Sequence, residues 1–459
     1  MRLNRNAMVG VAALSLLAAF RIEAQPSERR QRLFDRLDGG IALLVAEADF
    51  STNWQAHRYD PGYFVGEFKQ EVHFHYLTSL GSSESNAVLL VDGATRASDL
   101  YMLPVSEEKK RELLSAGFRA VKPRSELVND LGALAGRKPA VYLLLGREDF
   151  LPFPKVTIFP EGLDEPTDRQ RDFQSSLSRR FDWMEFRNLD PILTEMRAVK
   201  DAPEIATIRR AVEISSLSLL ETLRSVRAGV RESQLAGVAR FACRQNGSQR
   251  AAYSEDLQSG PNFMKSFIEL FNHYDKFDRV MEAGEVMLVD LSCEYDYFKT
   301  DLARTAPVSG TFTKEQRALY DLYLVAYRAA LATIRPGVTQ RDIALASVEA
   351  LKKELPKLDS SLRRGAESYI KRHESGAPLG HYVDYYIGGA GDPSKPLVPG
   401  QVFVIEPVMA LPDFNNFRVT LEDMILVTEN GYEVLSGILP MEAAEIEKII
   451  AAPGLLDAR

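Results

Sequence analysis

Apolar residues along this chain fall into two textures. From about Ser27 to Asp190, short β-rich runs alternate with helical and turn segments: Ile41 to Val45, Ala87 to Val91, Leu100 to Val105 and Val141 to Leu145. This pattern predicts an α/β domain. Beyond Asp201 and Pro203, Ile205, Ile208, Val212, Leu219, Leu223 and Val226 recur on one helical face, which predicts a long amphipathic helix ended by Arg227 to Gly229. The change of texture near Leu189 to Lys200 sets the expected boundary, with an N-terminal domain over 25–195 and a second domain over 196–459.

Farther on, Thr313-Lys-Glu-Gln316 is a capping-box pattern that opens a helix toward Arg335, and Pro336-Gly337 stops it. Another helix is expected from Thr339. Strands rich in Val and Ile are predicted at Val286 to Asp290, Val402 to Glu406 and Met424 to Val427, and the first two end on a carboxylate. The alternation Val72-His73-Phe74-His75 suggests one more strand face. Its HxH pattern, with His57 nearby, raises a metal site, but no partner ligands accompany it and packing is the expectation.

The composition, 45% hydrophobic and 26% charged over 459 residues, is ordinary globular usage. Arg2 and Arg5, an apolar run from Ala7 to Phe20, and Ile22-Glu23-Ala24 read as an export signal over residues 1–24, cleaved after Ala24. That run is shorter than the roughly 20 apolar residues of a spanning helix. A periplasmic or secreted protein with no stable membrane span after cleavage is therefore expected. Cleavage removes Arg2, Arg5, Arg21 and Glu23, which takes the formal charge from −8 to −10. Such a chain repels phosphate backbones, which argues against nucleic acid as a partner. Cys243 and Cys293 are too few for a disulfide scaffold and lack zinc-site spacing. They read as two buried thiols, with a single disulfide open to them in an oxidising compartment.

The candidate chemistry begins with Asp290 and Asp301, which flank a segment compatible with two strands joined by a turn near Tyr295-Asp296. With that turn the aspartates face each other, Cβ atoms about 5 Å apart, at an electrostatic cost that a cation removes. Taken alone, such a pair is more commonly solvated or ion-paired, here with Lys299 and Arg304. His381, Glu406 and Glu422 add three further donors, and the two glutamates sit at or beside apolar β-type runs, where a carboxylate is costly unless paired or metal-bound.

The order Asp, Asp, His, Glu, Glu, in the settings Leu379-Gly380-His381, Val404-Ile405-Glu406-Pro407 and Val419-Thr420-Leu421-Glu422-Asp423, resembles the pita-bread metallopeptidases. Ser259-Gly260-Pro261-Asn262, Asp301 to Thr305 and Thr428 to Val434 match as well, and Arg29 to Leu33 with Phe74 to Thr78 look like an aminopeptidase P N-terminal domain. The resemblance implies an α/β N-terminal domain plus an α+β pita-bread catalytic domain of the Xaa-Pro aminopeptidase/prolidase family. It implies two divalent metal ions, Mn²⁺ first and Zn²⁺, Co²⁺ or Fe²⁺ otherwise, held by Asp290, Asp301, His381, Glu406 and Glu422. By the same likeness a metal-bridged hydroxide attacks the Xaa-Pro bond, Glu406 shuttles the proton, and His273 contacts substrate or stabilises charge. Proline-containing peptides are the implied partners, and a dimer or tetramer the implied assembly.

The chain departs from that pattern in the substrate shell. Gly388 stands where a second histidine usually follows the ligand histidine by seven residues, Ala377 where another precedes it by four, and Thr420 where an arginine precedes the last glutamate, with Arg418 offset by two. His373 is the candidate to enter the space so vacated and contact substrate. The departures leave prolidase-like dipeptide cleavage, and an impaired member that binds peptides as a scaffold, as alternatives.

Overall fold

The computed structural model describes residues 25–48, 68–81, 84–145, 169–265, 277–411 and 417–457. The expected export signal, His57 and His273 lie outside the described residues. The chain divides into two compact units after Met196.

The first unit holds helices α1 (Gln25–Phe34), α2 (Val72–Thr78), α3 (Glu107–Ser115), α4 (Leu127–Ala133) and α5 (Arg169–Arg180). Its six strands are β1 (Ile41–Val45), β2 (Val88–Asp92), β3 (Ala97–Met102), β4 (Ala120–Pro123), β5 (Val141–Leu143) and β6 (Phe186–Asn188), in the order β4-β3-β2-β1-β5-β6. The antiparallel β1-β2-β3 centre carries parallel neighbours on both sides. Ile41, Leu43, Val45, Val88, Leu90, Val141 and Leu143 form the sheet side of the core, met by Leu127, Leu131 and Leu177 from the helices. β3 ends at Met102, earlier than the apolar run suggests, because Leu103 is 54% exposed and Pro104 follows.

The histidine alternation forms helix α2, not a strand. Glu71 caps it by accepting from the Phe74 N–H at 2.7 Å, and Ser79 closes it in the left-handed region. In a helix, residues two apart do not share a face. His73 lies 3.0 Å from Glu71 through Nδ1, and His75 Nδ1 lies 3.1 Å from the Leu80 carbonyl, so the HxH forms no paired site.

Helix α6 (Asp190–Ala198) spans the division, and α7 (Ala202–Arg224) opens the second unit on a capping box in which Asp201 and Glu204 satisfy each other's backbone N–H groups. There follow α8 (Glu232–Gln245), β7 (Arg250–Ala251), β8 (Asp256–Ser259), β9 (Val286–Leu291), β10 (Cys293–Glu294) and β11 (Leu302–Pro307). Helices α9 (Lys314–Thr333), α10 (Gln340–Glu354) and α11 (Ser360–His373) come next, with Thr313 and Thr339 capping the first two. The chain returns to the sheet in β12 (Val402–Ile405), β13 (Val408–Leu411), β14 (Phe417–Thr428) and β15 (Gly431–Val434) and finishes in α12 (Ala443–Ile450). The sheet order is β12-β14-β11-β9-β8, with β13 and β15 also paired to β14. β14 is far longer than Met424 to Val427 because it serves four partners, β11, β12, β13 and β15.

The hairpin expected at Tyr295-Asp296 turns one residue later. Asp296 and Tyr297 have φ of 48° and 68°, the positive pair of a two-residue turn, and Tyr295 bridges Phe298. That shift sets Ala303, not Asp301, opposite Asp290. The two aspartates share a face diagonally instead of standing directly opposed.

Cys243 of α8 and Cys293 of β10 form a disulfide, Cα atoms 5.8 Å apart, buried beside Ile214. This replaces the reading of two thiols. Ser215 Oγ accepts from the Cys293 N–H at 3.0 Å and holds β10 against α7, where α8 also packs. Among the described residues no helix is long and apolar enough to cross a membrane.

Candidate metal centre

One row of paired residues crosses four strands of the second sheet: Asp256 on β8, Asp290 on β9, Ala303 on β11 and Glu422 on β14. Side chains alternate along each strand, so Asp301, two residues before Ala303, joins the same face. The sheet register alone thus places Asp290, Asp301 and Glu422 together, with ligand oxygens all within 4.8 Å of one another. A second group within the same limit is Asp301, His381 and Glu406. Asp301 belongs to both.

Glu406 follows the last residue of β12, and its N–H donates to the Leu379 carbonyl at 2.7 Å, which ties it to the segment carrying His381. His381 Nε2 lies 3.2 Å from Asp301 Oδ2 and 3.6 Å from Glu406 Oε1. Its Nδ1 lies 3.0 Å from the Tyr382 carbonyl and 3.2 Å from the Gly388 N–H. The two Nδ1 contacts are alternatives: a proton on Nδ1 is donated to Tyr382 and leaves Nε2 its lone pair for a cation, whereas only an unprotonated Nδ1 accepts from Gly388. Gly388 itself has φ 77°, a left-handed conformation that suits glycine.

The electrostatics are those of an acidic face lacking its counter-charge. Burial, then Asp301 and Asp256, hold the Asp290 carboxyl well above the ordinary range. Burial and the same neighbours, with Asp290 and Glu406 foremost among the charges, do likewise to Glu422. Burial raises Glu406 to about 7, against the lowering charge of His381. Burial lowers His381, but its bond to Asp301 and the Glu406 charge prevail and bring it to about 9. Neither Lys299 nor Arg304 supplies the missing charge: Lys299 Nζ donates to the Ala252 carbonyl, and Arg304 pairs with Asp423 at 2.7 Å.

Oxygen donors crowded around one shared aspartate, with a single imidazole, form a hard set that suits divalent ions of the manganese type. The residues therefore fit a metal pair on donor chemistry and on the uncompensated charge of the cluster. Tyr253, which patterning did not single out, has its hydroxyl 2.5 Å from Asp290 Oδ1 and 2.7 Å from Asp301 Oδ1.

The substrate-shell positions are placed as follows. Thr420 is buried, its hydroxyl donating to the Pro407 carbonyl at 3.1 Å. His373 is buried in the last turn of α11, 4.7 Å from the Tyr369 ring, with Nδ1 3.5 Å from the Ala377 carbonyl. It joins neither donor group. The loop after His381 is organised by Asp384, another residue the pattern gave no reason to select. Its buried carboxylate accepts from the Tyr386 N–H at 3.0 Å, the Ala390 N–H at 3.2 Å and Arg197 at 3.2 Å, with Lys200 3.5 Å away. Burial opposes these contacts, yet the two cations and the backbone donors hold its pKa at about 2.

Residues 206–429 match the model of metallopeptidase family M24. The Xaa-Pro aminopeptidase of Escherichia coli is 26% identical over 455 residues, covering 92% of this chain and 97% of that protein. The mitochondrial intermediate cleaving peptidase 55 of Arabidopsis thaliana is 31% identical over 61% of this chain, and Xaa-Pro aminopeptidase 3 of Mus musculus 29% over 57%. The chain spans 56% and 53% of those last two proteins, about half their length. Among solved structures, proline aminopeptidase P II from Yersinia pestis superposes with TM-score 0.71 at 24% identity, over 93% of this chain and 99% of that one. An aminopeptidase P structure from Bacillus anthracis gives 0.76 at 20% identity, over 94% and 99%. These likenesses show the aminopeptidase P fold with its pita-bread second domain.

Proposed function

From a chain that carries a metallopeptidase family M24 domain over residues 206–429 and resembles an Xaa-Pro aminopeptidase over 92% of its length, we propose a metal-dependent aminopeptidase that releases the N-terminal residue from Xaa-Pro peptides. The observation that carries this reading is the pair of donor groups joined at Asp301.

Asp290, Asp301 and Glu422 would hold one divalent ion, and Asp301, His381 and Glu406 the other, with Mn²⁺ the proposed metal. The chemistry such a pair supplies is polarisation of a carbonyl and acidification of water at neutral pH. The chain's own residues do the rest. Tyr253 and the Tyr382 carbonyl orient the donors from behind: the phenol hydrogen goes to one aspartate oxygen, and the Tyr382 carbonyl takes the His381 Nδ1 proton. Glu406, standing at the end of its strand beside His381, is the group we assign to accept a proton and return it to the leaving proline nitrogen.

The reading extends to export under a cleaved signal and to a homo-oligomer, supported by the sequence of residues 1–24 and by likeness respectively. The test is Mn²⁺-dependent hydrolysis of Xaa-Pro dipeptides and Xaa-Pro-Yaa tripeptides by wild type, Asp301→Asn and Glu406→Gln. Turnover by the wild type and its loss in both variants is expected. An inactive metal-loaded wild type would sink the proposal and favour the peptide-binding scaffold.

A further inference from the structure

The two donor groups of the acidic face are assembled by different means, and the difference gives Asp384 a task that rests on the metal-pair reading above. Asp290, Asp301 and Glu422 are gathered by the register of β9, β11 and β14, in which ladder hydrogen bonds fix each backbone position. His381 lies on no strand. Its carbonyl accepts from the Val404 N–H at 2.9 Å, which ties it to β12 on one side. On the other side its position depends on the loop over 382–390.

That loop folds back on itself. The Gly389 N–H donates to the Tyr382 carbonyl at 2.5 Å, and the Gly388 N–H lies 3.2 Å from His381 Nδ1. Asp384 closes the return by accepting from the Tyr386 N–H at 3.0 Å and the Ala390 N–H at 3.2 Å. A Cβ added at Gly389 would stand 2.7 Å from the Asp384 nitrogen and 2.8 Å from its Oδ1, so the two arms of the loop touch there. Asp384 also reaches the segment that carries Asp301. Its carbonyl accepts from the Lys299 N–H at 2.8 Å, two residues before Asp301, and Tyr385 stacks on Phe298 with centroids 4.4 Å apart. Arg197 at 3.2 Å and Lys200 at 3.5 Å hold the carboxylate from α6 and the link that follows it, and all three side chains are buried.

Burying three ions is costly, and a loop that needed only to turn could do so with a neutral asparagine or serine. What the ions add is a fixed point. Two cations and two amides leave the Asp384 carboxylate one position, and from it the chain runs three residues back to His381 and, through Lys299, two residues on to Asp301. The 3.2 Å between His381 Nε2 and Asp301 Oδ2 is the distance that this arrangement maintains.

We propose that Asp384 is the positioning residue for one half of the metal pair: anchored by Arg197 and Lys200, it sets the separation of His381 from Asp301 and thereby the affinity for the ion that His381 holds. It leaves the ion of Asp290, Asp301 and Glu422 to the sheet. Asp384 itself belongs to neither donor group.

The test titrates Mn²⁺ into the metal-free full chain by calorimetry and follows the electron paramagnetic resonance signal, which distinguishes two neighbouring Mn²⁺ ions from an isolated one. Wild type should bind two ions and give the coupled signal. Asp384→Asn should weaken one ion by about 10–100-fold, leave the other within about twofold, and show the isolated-ion signal when only the stronger position is filled. Arg197→Lys keeps a cation but loses the forked donor, so it should weaken the same ion to a smaller degree. In a His381→Ala background, Asp384→Asn should add nothing further. Equal weakening of both ions, or an effect that persists in full without His381, would make Asp384 a general support of the domain and overturn the inference. Unchanged metal binding in Asp384→Asn, or in Arg197→Lys should the first variant not fold, would overturn it as well. A wild type that binds no pair of ions would instead remove the reading on which it rests.

Discussion

The two faces of β14 treat buried carboxylates in opposite ways, although they are a single residue apart. On one face Asp423 is buried and fully matched: Arg304 at 2.7 Å, the Tyr327 hydroxyl at 2.6 Å and the Ser436 hydroxyl at 2.5 Å. On the other, Glu422 shares its surroundings with Asp290, Asp301 and Glu406, and burial with those charges lifts its carboxyl far up. Both are acidic residues in the middle of an apolar strand. What separates them is whether the fold supplies a cation. A matched buried carboxylate is a structural device, while a crowd of unmatched ones is stable only with a partner from solution. Asp384, matched by Arg197 and Lys200, belongs with Asp423.

This contrast can be broken by experiment. The largest effect should come from the unmatched face: Asp301→Asn removes the donor common to both groups and should cut Xaa-Pro turnover on the order of 10²–10³-fold or more, with loss of Mn²⁺ binding by calorimetry and little change in metal-free stability. The matched face should show the reverse. Asp423→Ala leaves Arg304 buried without its counter-charge and should cost about 3–5 kcal/mol in denaturant unfolding. Next, Cys243→Ser with Cys293→Ser opens a covalent loop and should cost about 2–4 kcal/mol, measured the same way.

A pH series sharpens the comparison further. In the metal-free protein Asp256 stands at about 6, through burial, and Glu406 at about 7, each above its ordinary 3.8 and 4.5. The folded state holds these protons longer, so stability should fall as pH rises through the window from about 4 to 7. His381, raised to about 9 from 6.5, adds stability below 6.5 that is lost as pH climbs through 9, in the same direction. Melting temperature should therefore decline across the whole range without metal and flatten when Mn²⁺ is present. An unchanged slope with metal would break the argument. The matched Asp384, held down to about 2, should contribute a loss only in strong acid. At the small end, Arg209→Ala breaks the exposed pair with Glu433 and should cost no more than about 1 kcal/mol.

Much of the fold was legible because its signals are local. The Asp201/Glu204, Thr313/Gln316 and Thr339/Asp342 caps each lie within four residues of sequence, and all three helices begin where those residues stand. Asp290, Asp301, His381, Glu406 and Glu422 were legible as a group only through likeness, because what gathers them is sheet register across β9, β11 and β14. A single-residue shift of the turn was enough to change a facing pair into a diagonal one. Val72 to His75 misled for the converse reason: a short alternation cannot reveal that Glu71 will cap a helix. Tyr253, Asp256 and Gln258 gave no signal, since their roles depend on the neighbouring strand, and Asp384 required partners near 200 to be known.

The Cys243–Cys293 bridge has a practical corollary for anyone who handles the protein. These are the chain's only cysteines, and both are engaged. The native molecule presents no thiol to an alkylating reagent, so a cysteine introduced at an exposed position, such as Arg372 in the last turn of α11, would be a uniquely addressable label able to carry a fluorophore or spin probe.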